Sequence, residues 1–251
     1  MPTKKQKLEL ERKLGSLARR LVSRRWSERH IRSGELEKMG PDERLLIARM
    51  NASADDEYLR TDAADDLGLY GQPQDAFRVR TLTKDPSWFV RSSAGAAAAQ
   101  VFKKKAERIL CRLLTDKEII VRRDAAWEIS NLDLTRSIPS VEKQLMVETH
   151  PHASVPMLYT LIRFGRRELL SDYLAIHQVD CDNADFHMWL NLDVLLLEIN
   201  PTPAEIELVW NTIKEARLLP QYLDVEKEID KFVAFMEASY PRTDYSASDP
   251  A

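Results

Sequence analysis

The sequence predicts an all-α protein, an α-α superhelix (solenoid) built from short helical hairpins. Three observations carry that prediction. Apolar residues recur at helical spacing along nearly all of the 251 residues, and no period-2 alternation persists. Turn chemistry breaks the chain at short intervals, at Gly40-Pro41, Gly71-Gln72-Pro73, Asp85-Pro86, Asn131-Leu132-Asp133, His150-Pro151, Asn200-Pro201 and Leu219-Pro220. One segment returns without gaps at a fixed offset of 31 residues, the mark of a repeat architecture.

Taken in order, the pattern places helices near 4–31, 41–50, 55–68, 74–83, 87–102, 104–114, 117–131, 138–147, 154–164, 167–177, 184–198, 203–217 and 224–239. The first carries Leu10, Leu14, Leu17 and Leu21 on one stripe among Lys13, Arg19, Arg20, Arg24 and Arg25, with Trp26 near its end. It reads as a basic capping helix within 1–40, its leucines closing the end of the array. The repeat domain then runs over 41–239. The Ser/Asp/Pro-rich end, 240–251, is expected to be a disordered tail.

The repeat itself is Glu57–Ala64, Trp88–Gly95 and Ile119–Ala126. Leu59, Val90 and Val121 coincide, as do Arg60, Arg91 and Arg122, and Ala63, Ala94 and Ala125. Asp85 and Asp116 stand six residues before two of the arginines. An Asp just ahead of a helix accepts the orphan backbone N–H groups there and opposes the dipole. Val and Ala at helical spacing let neighbouring helices approach. The Arg is expected to pair with an acidic group in its own repeat or the next one, which makes it architecture.

On these residues the chain resembles the HEAT-repeat superfamily, in its short, phycobilin-lyase-type form, over about 55–131. The resemblance implies HEAT-like helical hairpin repeats stacked on one another, with the second helix of each hairpin lining the concave face. His152–Tyr159 reads as a fourth copy without the Arg, and Asp185–Leu190 as the start of a fifth.

Composition narrows the function. Seven glycines leave no material for a Gly-rich cofactor cradle, and no phosphate loop, nucleophile elbow or His-Glu-x-x-His occurs. No enzyme activity and no cofactor are expected. The two cysteines, Cys111 and Cys181, fall on different predicted elements, which suits a reducing, cytoplasmic setting. No apolar run reaches the roughly 20 residues of a membrane span. His177, Cys181 and His187 match no zinc spacing, so no metal is expected. Trp88, Trp189 and Trp210 fit packing positions, and Asp62, Asp65 and Asp66 read as a solvated acidic face.

The net charge of −3 conceals segregation: residues 1–32 carry +8, 33–77 carry −7, 78–123 carry +8 and 124–251 carry −12. The basic stretch supplies the candidate partner-binding residues, Arg78, Arg80, Lys103, Lys104, Lys105, Arg108, Arg112 and Arg123, with Lys84 beside them and Trp127 as an aromatic. The leading expectation is a non-enzymatic scaffold or adaptor that holds a partner protein on its concave face. A second is nucleic-acid binding by the same basic surface, in the manner of HEAT-like alkylpurine DNA glycosylases, with Asp124 and Trp127 as the acid and aromatic. A third, resting on Asp180, Asp182, Asp185, Asp193, Glu198, Glu205 and Glu207, is an immunity protein that neutralises a basic toxin; a fourth, from repeat type alone, is a chromophore-lyase-like chaperone.

Overall fold

The computed structural model describes residues 38–178, 184–218 and 222–241. The predicted capping helix and the tail beyond 241 lie outside the described residues. Among the described residues every regular element is a helix. None of these helices is long and apolar enough to cross a membrane. The chain divides into two compact units, Met1–Ser137 and Ile138–Ala251.

In the first unit, α1 (Pro41–Asn51) starts on Gly40 and Pro41, with the Gly40 N–H donating to Glu43. The three repeated segments open the three long helices that follow: α2 (Glu57–Tyr70), α4 (Trp88–Phe102) and α6 (Ile119–Asn131). Between them run short second helices, α3 (Ala76–Leu82) and α5 (Glu107–Leu113). The sequence predicts each second helix as one continuous element. The structure instead enters each through a 3-10 turn, Pro73–Asp75 and Lys103–Ala106, because the chain must reverse within a few residues.

α2 packs on α4 and α4 on α6. The repeated Leu59, Val90 and Val121, and the repeated Ala63, Ala94 and Ala125, are all buried. The approach of α2 to α4 is close enough to require a glycine. A Cβ on Gly68 would meet the Ala97 Cα at 3.0 Å and the Gln100 Oε1 at 2.8 Å.

The repeated arginines form clamps between successive copies. Arg60 donates from Nε and Nη2 to both oxygens of Asp85, at 2.7 and 2.9 Å. Its Nη1 turns back to the carbonyls of Ala54 and Asp55, at 2.8 and 2.9 Å. Arg91 repeats this: Nε and Nη2 reach Asp116 at 2.7 Å each, and Nη1 reaches the carbonyls of Asp85 and Pro86 at 2.9 and 3.0 Å. Arg122 makes the same carbonyl contacts, to Asp116 and Lys117. Each Asp also accepts an N–H two residues ahead, from Ser87 and Glu118. The carboxylate partner of Arg60 and of Arg91 is therefore the head of the next repeat, while the backbone acceptors of all three arginines are in their own. Burial alone would raise the Asp116 carboxyl; the Arg91 and Glu118 hydrogen bonds outweigh it and hold the group below the usual range.

Two expectations change. Asp66 is not on a solvated face: its side chain is buried and paired with Arg44 from α1. Trp88 stands at the start of α4, where the stripe of its own helix runs out. It is 40% exposed, its edge against Phe89.

In the second unit, α7 (Ile138–Leu145) and α8 (Pro151–Arg163) pack together, followed by α9 (Leu170–Leu174), α10 (Ala184–Ile199), α11 (Pro203–Ala216) and α12 (Tyr222–Ser239). Trp189 and Trp210 are buried, as predicted. Trp189 lies against Phe232 with ring centres 5.6 Å apart, and the Trp210 indole donates to the Tyr240 carbonyl at 3.4 Å. Tyr173 is wholly enclosed beside Tyr159.

The pattern of long helix, 3-10 turn and short helix continues past the three copies visible in sequence. The 3-10 turns Thr135–Ser137 and Arg167–Leu169 precede α7 and α9 as the earlier two precede α3 and α5. The long helices α4, α6 and α8 each lead into a residue of positive φ: Lys103 at 51°, Asp133 at 53° and Gly165 at 104°. Gly adopts such backbone freely and Asp tolerates it. Lys does not, and at Lys103, where ψ is −133°, the conformation costs on the order of 1–3 kcal/mol.

α11 opens with a reciprocal cap. The Thr202 N–H and hydroxyl donate to the Glu205 carboxylate at 2.7 and 2.8 Å, and Arg167 grips the same carboxylate from Nε at 2.9 Å. The Arg167 hydrogen bonds pull the Glu205 carboxyl from 4.5 down to about 2. A depressed folded-state value stabilises the fold above the unfolded value, and that stability is lost as pH falls through the folded one. The thermal midpoint is therefore expected to fall between pH 4.5 and about 2 with a component that Glu205→Gln removes. Identical acid limbs for the two proteins would show that the cap carries no such linkage.

Candidate anion-binding surface

The nine basic and aromatic candidates do not form one group. They divide according to which helix layer carries them. The second-helix layer begins with α3. Arg80 is exposed there, and its guanidinium stands 4.7 Å from the centre of the Phe102 ring at the end of α4. That contact brings the end of α3 to the corner where Lys103, Lys104 and Lys105 form a 3-10 turn, all three exposed. Arg108 follows on α5, also exposed. Arg112 donates from Nη2 to the Thr83 carbonyl at 3.0 Å and its hydroxyl at 2.7 Å, which ties α5 to the end of α3 next to Lys84.

No carboxylate among the described residues pairs with Arg80, Lys84, Lys103, Lys104, Lys105, Arg108 or Arg112. The one acid within the corner, Glu107, accepts a hydrogen bond from Ser137. The arginines that build the unit behave differently. Arg44, Arg49, Arg60 and Arg91 each face an aspartate.

Arg78 is intermediate. It pairs with the fully buried Asp75 at 3.1 Å, which Arg49 also holds, so much of its charge is balanced. It nevertheless covers the ring of Phe77 at 4.5 Å, and Phe77 is 58% exposed. Phe77 and Phe102 thus join the surface, each under a guanidinium. The sequence reading missed both. The adjacency of Phe77 to Arg78 was visible in the chain; its 58% exposure was not.

Arg123 and Trp127 lie elsewhere. They are on α6, in the layer of long helices. Trp127 occupies the place there that Asp65 has in α2 and Ala96 in α4. Arg123 is paired with Asp124 at 2.7 Å, and Ser92 donates to the same carboxylate. Asp65 is bonded to Ser93 in the same way. Burial pushes the Glu128 carboxyl up, the Asp124 charge adds to this, and Asn131 opposes it. This face is polar, acidic and internally bonded. The oxygens of Asp124, the expected glycosylase-like acid, are already engaged.

In the second unit, a cleft of about 410 Å³ is walled by Leu145, Met146, Leu161 and Leu169, with the Arg166–Glu142 pair beside it. Of the acidic residues gathered around 180–207, Glu198 is paired with Arg163 and Glu205 with Arg167. Asp180 and Asp182 lie outside the described residues, and so does the side chain of Asp185. Among the described residues no three His, Cys, Asp or Glu side chains converge as metal ligands. Cys181 and the side chains of His177 and His187 also lie outside them. No protein-family model matches the chain, and no curated protein matches it.

Proposed function

We propose that the chain is a non-catalytic, HEAT-like repeat scaffold whose second-helix face holds an anionic macromolecule. One observation carries the reading. The arginines that hold the first unit together are matched to aspartates, whereas Arg80 on α3, Arg108 and Arg112 on α5 and the three lysines of the intervening corner are exposed and have no carboxylate partner among the described residues. Concentrating unbalanced positive charge costs self-repulsion, and it steers an oppositely charged partner. The recurring clamps, the recurring 3-10 entries to the second helices and the small residues between long helices support the repeat assignment and the solenoid stacking it implies.

Retention on immobilised heparin tests this reading. The wild-type protein is expected to bind at low ionic strength despite its net charge of −3. Lys103→Glu/Lys104→Glu/Lys105→Glu is expected to abolish retention. The charge-matched control Lys214→Glu/Lys227→Glu/Lys231→Glu, on exposed positions of α11 and α12, is expected to retain it. Equal behaviour of the two triple variants, or no retention of the wild type, would sink the proposal.

A further inference from the structure

We infer that the anion held on the second-helix face is a single-stranded nucleic acid, an inference that rests on the anion-binding reading above. Charge alone does not choose between a phosphate backbone and an acidic protein; the aromatic rings do. Phe77 is largely exposed, with the Arg78 guanidinium 4.5 Å from its ring centre. Phe102 is half-buried under Arg80, at 4.7 Å. A flat ring beside a flat cation is the surface on which an unstacked base lies, while neighbouring lysines follow the phosphates. An acidic protein partner would meet the cations with carboxylates, whereas the two guanidinium–phenyl pairs add flat platforms of the size of a base. A duplex keeps its bases stacked and offers none to Phe77.

Lys103 supports the same assignment independently. Two residues beyond α6 and α8 the chain also takes positive φ, at Asp133 and Gly165, types that accept it, while α2 passes into Gly71 at −61°. At 103 the chain keeps a lysine in a conformation that favours glycine. Strain of this kind persists where the side chain serves a function. Here that service is to keep a cation at the residue directly after Phe102, whose ring Arg80 covers.

Fluorescence anisotropy with labelled oligothymidylate and oligouridylate of about 20 nucleotides provides the test, since such single strands span the site of a small binding domain. Both strands are expected to bind, with affinity falling roughly 100-fold between 50 and 200 mM salt if five cations meet phosphates. Polyglutamate of equal charge and a duplex of equal length are expected to bind at least tenfold more weakly. Phe77→Ala is expected to weaken single-strand binding by about 5- to 100-fold through lost stacking. Lys103→Gly is expected to raise the thermal midpoint yet weaken oligonucleotide binding.

Polyglutamate binding as tightly as the oligonucleotides, or an unchanged affinity in Phe77→Ala, would overturn the nucleic-acid assignment and leave the anion-binding reading standing. Loss of heparin retention in the wild type would remove both. If Lys103→Gly raises the midpoint without weakening binding, the lysine is not part of the site.

Discussion

Arg91→Ala is expected to destabilise the protein by about 3–5 kcal/mol, the range for breaking a buried ion pair by removing one partner. The side chains of Arg91 and Asp116 are 9% and 11% exposed, so the aspartate left behind would be a buried charge. The loss is larger than that of a single pair. Arg91 also satisfies the carbonyls of Asp85 and Pro86, which would lose their donor where the chain turns into α4. Arg91→Lys is expected to recover little, because an ammonium cannot fork onto a carboxylate and reach two carbonyls at once. The double variant Arg91→Met/Asp116→Ala should cost clearly less than the sum of its singles, since neither leaves a charge behind. Arg123→Ala supplies the contrast: its pair with Asp124 is partly exposed, and the change should stay within about 1 kcal/mol. Urea denaturation of these variants, with Arg91→Met and Asp116→Ala as the singles of the double, measures all of this. An Arg91→Ala midpoint equal to that of Arg123→Ala would refute the clamp.

Gly68→Val is expected to cost about 2–3 kcal/mol by overpacking the contact between α2 and α4. Gln100 can swing away from a new Cβ, but the Ala97 Cα is backbone and cannot. Relief requires α2 and α4 to separate. That separation also stretches the short bonds of Arg60 to Asp85, which are set by the same two helices. Ala97→Gly removes the Cβ that stands 3.2 Å from the new atom, so it should recover part of the loss when combined with Gly68→Val, although alone it destabilises a helix. Additive effects in thermal and urea denaturation would mean that the two helices do not meet at this pair.

The recurrence of Leu/Val, Arg and Ala at one offset was readable because each copy uses the same residue for the same contact. The long helices followed directly, to within a few residues at their ends. That the arginines pair was readable too. Which acid they pair with was not, because Arg60 and Arg91 reach forward 25 residues to the next copy. The 3-10 turns escaped notice because their residues also suit an α-helix, and the choice is made by how sharply the chain reverses. The same turns decide the candidate site. A residue's face shifts by about 100° for each position in a helix. Charges adjacent in sequence could therefore be grouped but not assigned to a layer: Arg80, Lys103 and Arg108 fell together, and Arg123 and Trp127 fell on the other layer. Phe77 carries no signal in the sequence, because a large aromatic is usually buried at least in part.

The clamp has a consequence for how such a chain can grow. The middle copy bears both halves of the joint: Asp85, which receives Arg60 of the copy before it, and Arg91 six residues later, which reaches Asp116 of the copy after it. The joint is the same at each step and does not close on itself. Excising residues 85–115 would leave Arg60 facing Asp116 in place of Asp85, with plug and socket still matched. Such an array can be lengthened or shortened by whole copies without designing a new contact. The extent of its second-helix face is then set by copy number, and the chemistry on that face can change independently of the joints beneath it.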